Sequence, residues 1–205
     1  MNNNNDLYRD KYRVPSNRLP KWNYAKNGYY FVTICTKDME PYFGNITDEK
    51  IDLSEIGKIV EKELLQTEKI RPTVKIDTWI IMPNHVHVIF VLNDPCEPII
   101  ETHFVETHSN ASLQQKYIYK NRFGPQRQNL SSIIRGFKSS AVRECRKQSL
   151  NFIWQKRFWD HVIRSEEALN RIRYYINNNV LNWETDKNDN LLNTNICRDA
   201  QLCVS

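Results

Sequence analysis

A chain of 205 residues, 40% of them hydrophobic and with a formal net charge of +5, is long enough to bury one core without covalent help, and two separate domains are not expected. No apolar run approaches the roughly 20 residues that span a bilayer, and the opening MNNNNDLYRD lacks the apolar centre of a secretory signal, so a cytoplasmic protein without a membrane partner is expected. Five cysteines without a CxxC pair point to reduced thiols, Cys35 and Cys145 in the core and Cys197 and Cys203 in the tail, rather than a disulfide framework or structural zinc.

The first 28 residues carry Arg9, Lys11, Arg13, Arg18, Lys21 and Lys26 against two acids, and Pro15 and Pro20 discourage helix, so residues 1–28 read as a basic extended arm. YYFVTICT, Tyr29 to Thr36, reads as the first strand. Ser54 caps a helix to about Lys69, with Ile56, Ile59, Val60 and Leu64 on one stripe. Val74 to Met82 and His85 to Leu92 form an antiparallel hairpin across Pro83-Asn84. Residues 93–129, polar and with several prolines, read as an insertion loop. Ser131 opens a helix to about Lys147 with Ile134, Phe137, Ala141 and Cys145 inward. Phe152 to Arg164 reads as one strand, and Ser165-Glu166-Glu167 caps a last helix to about Trp183. Residues 184–205 read as a polar tail, leaving 29–183 as the catalytic domain. The order β-α-β-β-α-β plus a helix predicts an α+β, ferredoxin-like (split βαβ, RRM-like) four-stranded antiparallel sheet with an added C-terminal helix. Two helices cover one face of that sheet, and the other face is left for a ligand or the last helix.

Within the hairpin, WIIMPNHVHVIFV places His85 and His87 two residues apart, hence on one side of a strand. Two imidazoles aimed at one point among β-branched and aromatic residues call for a shared metal ion. On the last helix, Leu169, Ile172, Ile176 and Val180 form the buried stripe, while Tyr175 and Asn179 stand one turn apart with Arg171 a turn earlier. A tyrosine and an amide presented to a di-histidine strand suit metal-assisted phosphoryl transfer. Asn179 supplies a third ligand through its amide oxygen, and Tyr175 acts as the nucleophile that forms an aryl phosphate and conserves the energy of the phosphodiester. Tyr174 competes for that role, but only Tyr175 lies one turn from Asn179. His161, with Asp160 and Arg164 around it, reads as a strand-edge residue rather than a third histidine ligand. Imidazole pairs favour manganese over magnesium on their own chemistry. The lysines and arginines interleaved with aromatic residues point to a nucleic acid, with Arg13, Arg18, Arg135, Lys138, Arg143, Arg157 and Arg171 as candidate DNA contacts.

MPNHVHVIF resembles the His-hydrophobic-His motif of the HUH single-tyrosine transposases, and YINNN at Tyr175 to Asn179 resembles their tyrosine helix. NRLPKWNYAKNGYYFVTICTKD, LSSIIRGFKSSAVRE, WQKRFWDHVIR and RYYINNNVLNWETDK are similar to the REP-associated tyrosine transposase branch, and with the di-histidine strand they cover most of residues 17–187. The resemblance implies a ferredoxin-like fold and a transposase that uses magnesium or manganese. Such an enzyme cleaves and rejoins single-stranded DNA beside imperfect palindromes that fold into hairpins, through a 5′-phosphotyrosine at Tyr175, as monomer or homodimer. Val180 stands where the family commonly has proline after the ligand asparagine, which lets the helix continue. The alternative from another class is a non-catalytic RRM-like nucleic-acid-binding protein whose strand aromatics, Tyr30 and Trp79, stack bases.

Overall fold

The computed structural model describes residues 22–93, 129–181 and 183. The strands are β1 (Gly28–Cys35), β2 (Gly44–Thr47), β3 (Lys50–Leu53), β4 (Val74–Met82), β5 (His85–Leu92) and β6 (Trp159–Ile163). The helices are α1 (Glu55–Ile70), α2 (Leu130–Lys147) and α3 (Glu166–Asn177). Four strands form one antiparallel sheet in the order β4-β5-β1-β6, and β2 pairs only with β3. Leaving out the small hairpin, the sequence is β-α-β-β-α-β with the first and third strands central, the split βαβ arrangement expected.

Each helix begins where a side chain takes up an orphan amide. Ser54 Oγ accepts from Gly57 N at 3.0 Å, Asn129 Oδ1 from Ser132 N at 2.9 Å and Ser165 Oγ from Ala168 N at 3.2 Å. Alternation along the central strands sorts two cores. Tyr30, Val32 and Ile34 of β1 and Val86, Val88 and Phe90 of β5 face α1 and α2, where Val60, Leu64, Ile133, Ile134, Phe137 and Ala141 meet them. Phe31 and Ile89, with Trp159 and Ile163 of β6, face Leu169, Ile172 and Ile176 of α3. With helices on both sides, β1 and β5 are buried along almost their whole length, which is why their sequences run apolar instead of alternating.

Four expectations are corrected. The RRM-like alternative loses its platform: Tyr30 is fully buried against Tyr24 and Trp79 packs toward α1 and α2, so neither offers a base-stacking surface, while the last helix, one of the two expected occupants, takes the other face of the sheet. The stretch before β6 is not strand; Trp154 makes one isolated bridge to Thr36 and Ile153 is exposed. The last helix breaks at Asn178 (φ −101°, ψ 7°), whose amide donates to the Tyr174 carbonyl at 2.8 Å, and residues 179–181 are again helical. The basic arm is anchored at its end, since Trp22 and Tyr24 pack on the core and the Tyr24 carbonyl accepts from Leu130 N at 3.0 Å. The rest of the arm, the loop from 94 to 128 and the tail from 184 lie outside the described residues.

The hairpin β2–β3 was not anticipated. Its turn residues Asp48 and Glu49 both take positive φ, 50° and 58°, a type I′ geometry usually signalled by Asn-Gly, and this turn lacks that signal.

Candidate metal and tyrosine site

His85 and His87 project from β5 to the α3 side, their ring centroids 4.5 Å apart. The turn that delivers them is clamped: Thr36 N and Thr36 Oγ1 donate to the Asn84 carbonyl at 2.8 and 2.9 Å, and Phe43 N donates to the Pro83 carbonyl at 2.9 Å. Each ring is held by its Nδ1. His85 Nδ1 meets Asn84 Oδ1 at 2.7 Å, and His87 Nδ1 meets Thr33 Oγ1, from the paired position on β1, at 2.9 Å. An amide oxygen can only accept, so His85 carries its proton on Nδ1 and its Nε2 presents a lone pair.

Both rings are buried, at 2% and 0% exposure. Burial pulls the His85 pKa down to about 3, with Asn179 acting in the opposite direction without closing a hydrogen bond to Nε2. Burial, then the neighbouring His85, holds His87 well below the ordinary imidazole range. The rings are therefore neutral at physiological pH, the form in which imidazole binds metal.

Tyr175 comes from α3 to the same point. Its hydroxyl lies 3.3 Å from His87 Nε2, its ring centroid 5.3 Å from that of His87, and Phe31 stands edge-on to it at 6.2 Å. Asn179 is buried at 4%, and Trp183, 7% exposed, sets its ring 6.2 Å from that of His85. Tyr174, on the next position of the helix, is 72% exposed and points elsewhere. His161 stacks on Trp159 with ring centroids 6.0 Å apart on edge strand β6.

Among the described residues no three His, Cys, Asp or Glu side chains gather as a metal group, so any ion here rests on two imidazoles and the Asn179 amide. The donor set fits one. His85 Nε2 is a buried nitrogen without a hydrogen-bond partner, a vacancy that ordinarily costs about 1–3 kcal/mol. A Lewis acid would satisfy it, and Asn84 and Thr33 already orient the rings from behind as such ligands require.

The candidate DNA contacts are not gathered at this point. Arg13 and Arg18 lie outside the described residues. Arg171 is exposed on α3, and Arg157 is exposed just before β6. Arg135, Lys138 and Arg143 sit on α2, in the layer on the other side of the sheet from Tyr175. There Lys138, Arg143, Arg146, Lys147 and Trp154 line a groove of about 680 Å³. Lys138 is the least free of them, its ammonium donating to the Gln155 carbonyl and lying 5.8 Å from the Trp154 ring.

No protein-family model matches the chain. An uncharacterized protein of Haemophilus influenzae is 36% identical over 171 residues, which are 83% of this chain and 89% of that protein. The chain belongs to that protein's family. Among solved structures, a REP-associated tyrosine transposase bound to a REP hairpin superposes with a TM-score of 0.52 and 20% identity, over 80% of this chain and 73% of that one. The two share the α+β fold with its four-stranded antiparallel sheet.

Three residues that shape the site went unread in the sequence: Thr33, Asn84 and Phe31. Thr33 and Phe31 had a usable signal, since the parity of β1 puts both on one face and Thr33 is a polar residue inside an apolar run. Their partners on β5 depend on register, which the local pattern does not carry. Among the described residues no helix is long and apolar enough to cross a membrane.

Proposed function

We propose that this protein is a metal-dependent single-tyrosine DNA transposase or endonuclease of the REP-associated type, which cleaves and rejoins hairpin-bearing single-stranded DNA. The observation that carries this reading is the 3.3 Å approach of the Tyr175 hydroxyl to Nε2 of His87, on a strand 88 residues away in sequence. His85, His87 and Asn179 hold a divalent ion, manganese or magnesium, which supplies charge neutralisation at the phosphate and favours the phenolate. Tyr175 is the nucleophile. Its oxygen bonds to phosphorus as the P–O3′ bond breaks, and the proton lost by the phenol is balanced by the one that O3′ takes up, leaving a 5′-phosphotyrosine and a 3′-hydroxyl. Attack of a 3′-hydroxyl on the phosphotyrosine reverses the step and rejoins the strand.

Burial of the site serves this chemistry by keeping water from the phosphotyrosine ester. Asn84 holds His85 in the tautomer that offers Nε2, and Thr33 fixes the orientation of the His87 ring. The cationic groove on α2 and Arg171 on α3 supply phosphate contacts on the two sides of the sheet, for a nucleic acid that passes around its edge. The fold shared with a hairpin-bound transposase supports the choice of substrate.

The test is covalent capture. The protein is incubated with Mn²⁺ and a single-stranded oligonucleotide carrying an imperfect palindrome that folds into a hairpin. A denaturation-resistant protein–DNA adduct that disappears in Tyr175→Phe and persists in Tyr174→Phe is the expected result. DNA binding with no adduct under any divalent ion would leave a non-catalytic binding protein.

A further inference from the structure

The apolar contacts of α3 do not by themselves fix where Tyr175 stands. Leu169, Ile172 and Ile176 rest on Phe31, Ile89, Trp159 and Ile163, and aliphatic contact is non-directional, so such a helix can turn or slide by a fraction of a residue at small cost. A second attachment is directional. Arg173, two residues before Tyr175, grips Asp77 with a two-pronged fork: Nε donates to Oδ2 at 2.8 Å and Nη2 donates to Oδ1. Both ends of the fork are oriented. Arg173 Nη1 donates to Asn170 Oδ1 at 3.1 Å, and Thr78 Oγ1 donates to Asp77 Oδ2 at 3.0 Å.

Asp77 follows Ile76, which faces α1 and α2, so alternation alone puts it on the α3 side, beside an irregularity in β4. The pairing with β5 shifts register between Ile76 and Trp79, so Asp77 and Thr78 bulge from an edge strand on which Ile76 and Trp79 both face α1 and α2 and Ile80 faces α3. Without the bulge, alternation would carry Trp79 to the α3 side. The pair joins positions 96 residues apart in the chain.

We propose that the Asp77–Arg173 pair is the positioning device for Tyr175, setting the rotation and height of α3 so that the phenolic oxygen meets the site on β5. Resting on the strand-cleavage reading above, this makes Asp77 and Arg173 positioning residues that touch neither DNA nor metal. A planar fork fits this task because it fixes angle as well as distance, which a lysine in place of Arg173 cannot do. The helix rises about 1.5 Å per residue, so a slip of less than one residue displaces the phenol by about 1 Å, enough to slow a positioned attack by about 100-fold.

The test compares wild type with Asp77→Ala, Arg173→Ala, Arg173→Lys and the exchanged pair Asp77→Arg with Arg173→Asp, using the palindromic oligonucleotide and Mn²⁺. Three quantities are read: the single-turnover rate of adduct formation, the Kd for the DNA, and, in the metal-free protein, the ring-nitrogen chemical shifts of His87. Asp77→Ala slows the adduct by about 100-fold while the DNA Kd stays within about twofold, and the His87 Nε2 signal moves as the phenol leaves it. The exchanged pair recovers about a tenth of the wild-type rate or more, because the two positions couple, and Arg173→Lys recovers less. Asp77→Asn keeps the side-chain shape and stands in where the alanine variant does not fold. The proposal is overturned if Asp77→Ala leaves rate and shift unchanged while Arg173→Ala weakens DNA binding, which would make Arg173 a phosphate contact. If wild type itself forms no adduct, the strand-cleavage reading falls, and the His87 shift alone decides the latch: displaced in Asp77→Ala it stands, unmoved it fails.

Discussion

The two sides of the sheet are made from the same strands and differ in what they are asked to bury. Toward α1 and α2, β5 sends Val86, Val88 and Phe90, all fully buried among apolar side chains from two long helices. Toward α3 it sends His85, His87 and Ile89 into a smaller cluster closed by one helix. The first side is mostly apolar, its buried polar groups being few, such as the Tyr30 hydroxyl, which donates to the Lys26 carbonyl, and the Trp154 indole nitrogen. The second holds two neutral imidazoles and a tyrosine hydroxyl, whose hydrogen-bond partners dictate where everything else must stand.

That division can be broken most directly by cutting into the first side. Phe137→Ala, at a position 2% exposed, is expected to lower the unfolding free energy in urea by about 3–5 kcal/mol. Mn²⁺ affinity of whatever remains folded should be unchanged; a loss of stability under about 1 kcal/mol would show that the α1–α2 side does not dominate. On the second side the balance should invert. Asn84→Ala removes the acceptor that orients His85 and is expected to weaken Mn²⁺ binding in calorimetric titration by about 10–100-fold. Tyr175→Phe deletes one hydroxyl and should abolish the DNA adduct while shifting the urea midpoint by the equivalent of about 1 kcal/mol or less.

Smaller effects sharpen the comparison. Ser54→Ala leaves the first amides of α1 uncapped and should cost about 1 kcal/mol of stability with no change in metal affinity. The smallest is a pH effect. The hydrogen bond from Arg173 holds the Asp77 carboxyl below its ordinary value, with Glu166 and Tyr29 also facing the guanidinium. A carboxyl depressed in the fold stabilises it in full above its unfolded-state pKa, and that contribution fades as pH falls through the lower folded value. Hydrogen exchange in α3 should therefore show unchanged protection between about pH 5 and 8 relative to the rest of the fold, and a selective loss in acid below the usual aspartate range. The difference should be absent in Asp77→Ala.

Much of the fold was legible. Both strands of the β4–β5 hairpin were readable to the residue, because Pro83-Asn84 interrupts two runs rich in β-branched and aromatic residues. The Ser54 and Ser165 caps were readable from small hydroxyl residues ahead of apolar periodicity. The strand before β6 was over-read: Phe152 and Trp154 are large and apolar because they pack against Phe43 and Phe137, not because they sit in a ladder. The extent of the last helix was over-read too, because Asn178 can cap a turn with its own side chain as easily as continue it.

The chain by itself determined which residues share a face: alternation put His85 beside His87, and the helical repeat put Tyr175 one turn ahead of Asn179. Those are properties of one strand or one helix, set by steric rules that act over a few residues. Only the tertiary structure decided that Thr33 lies opposite His87, that Asp77 meets Arg173 of α3, and that the helix bearing Tyr175 closes over the second face of the sheet. Each of these joins segments tens of residues apart, and the pairing that joins them is selected by the packing of the whole core.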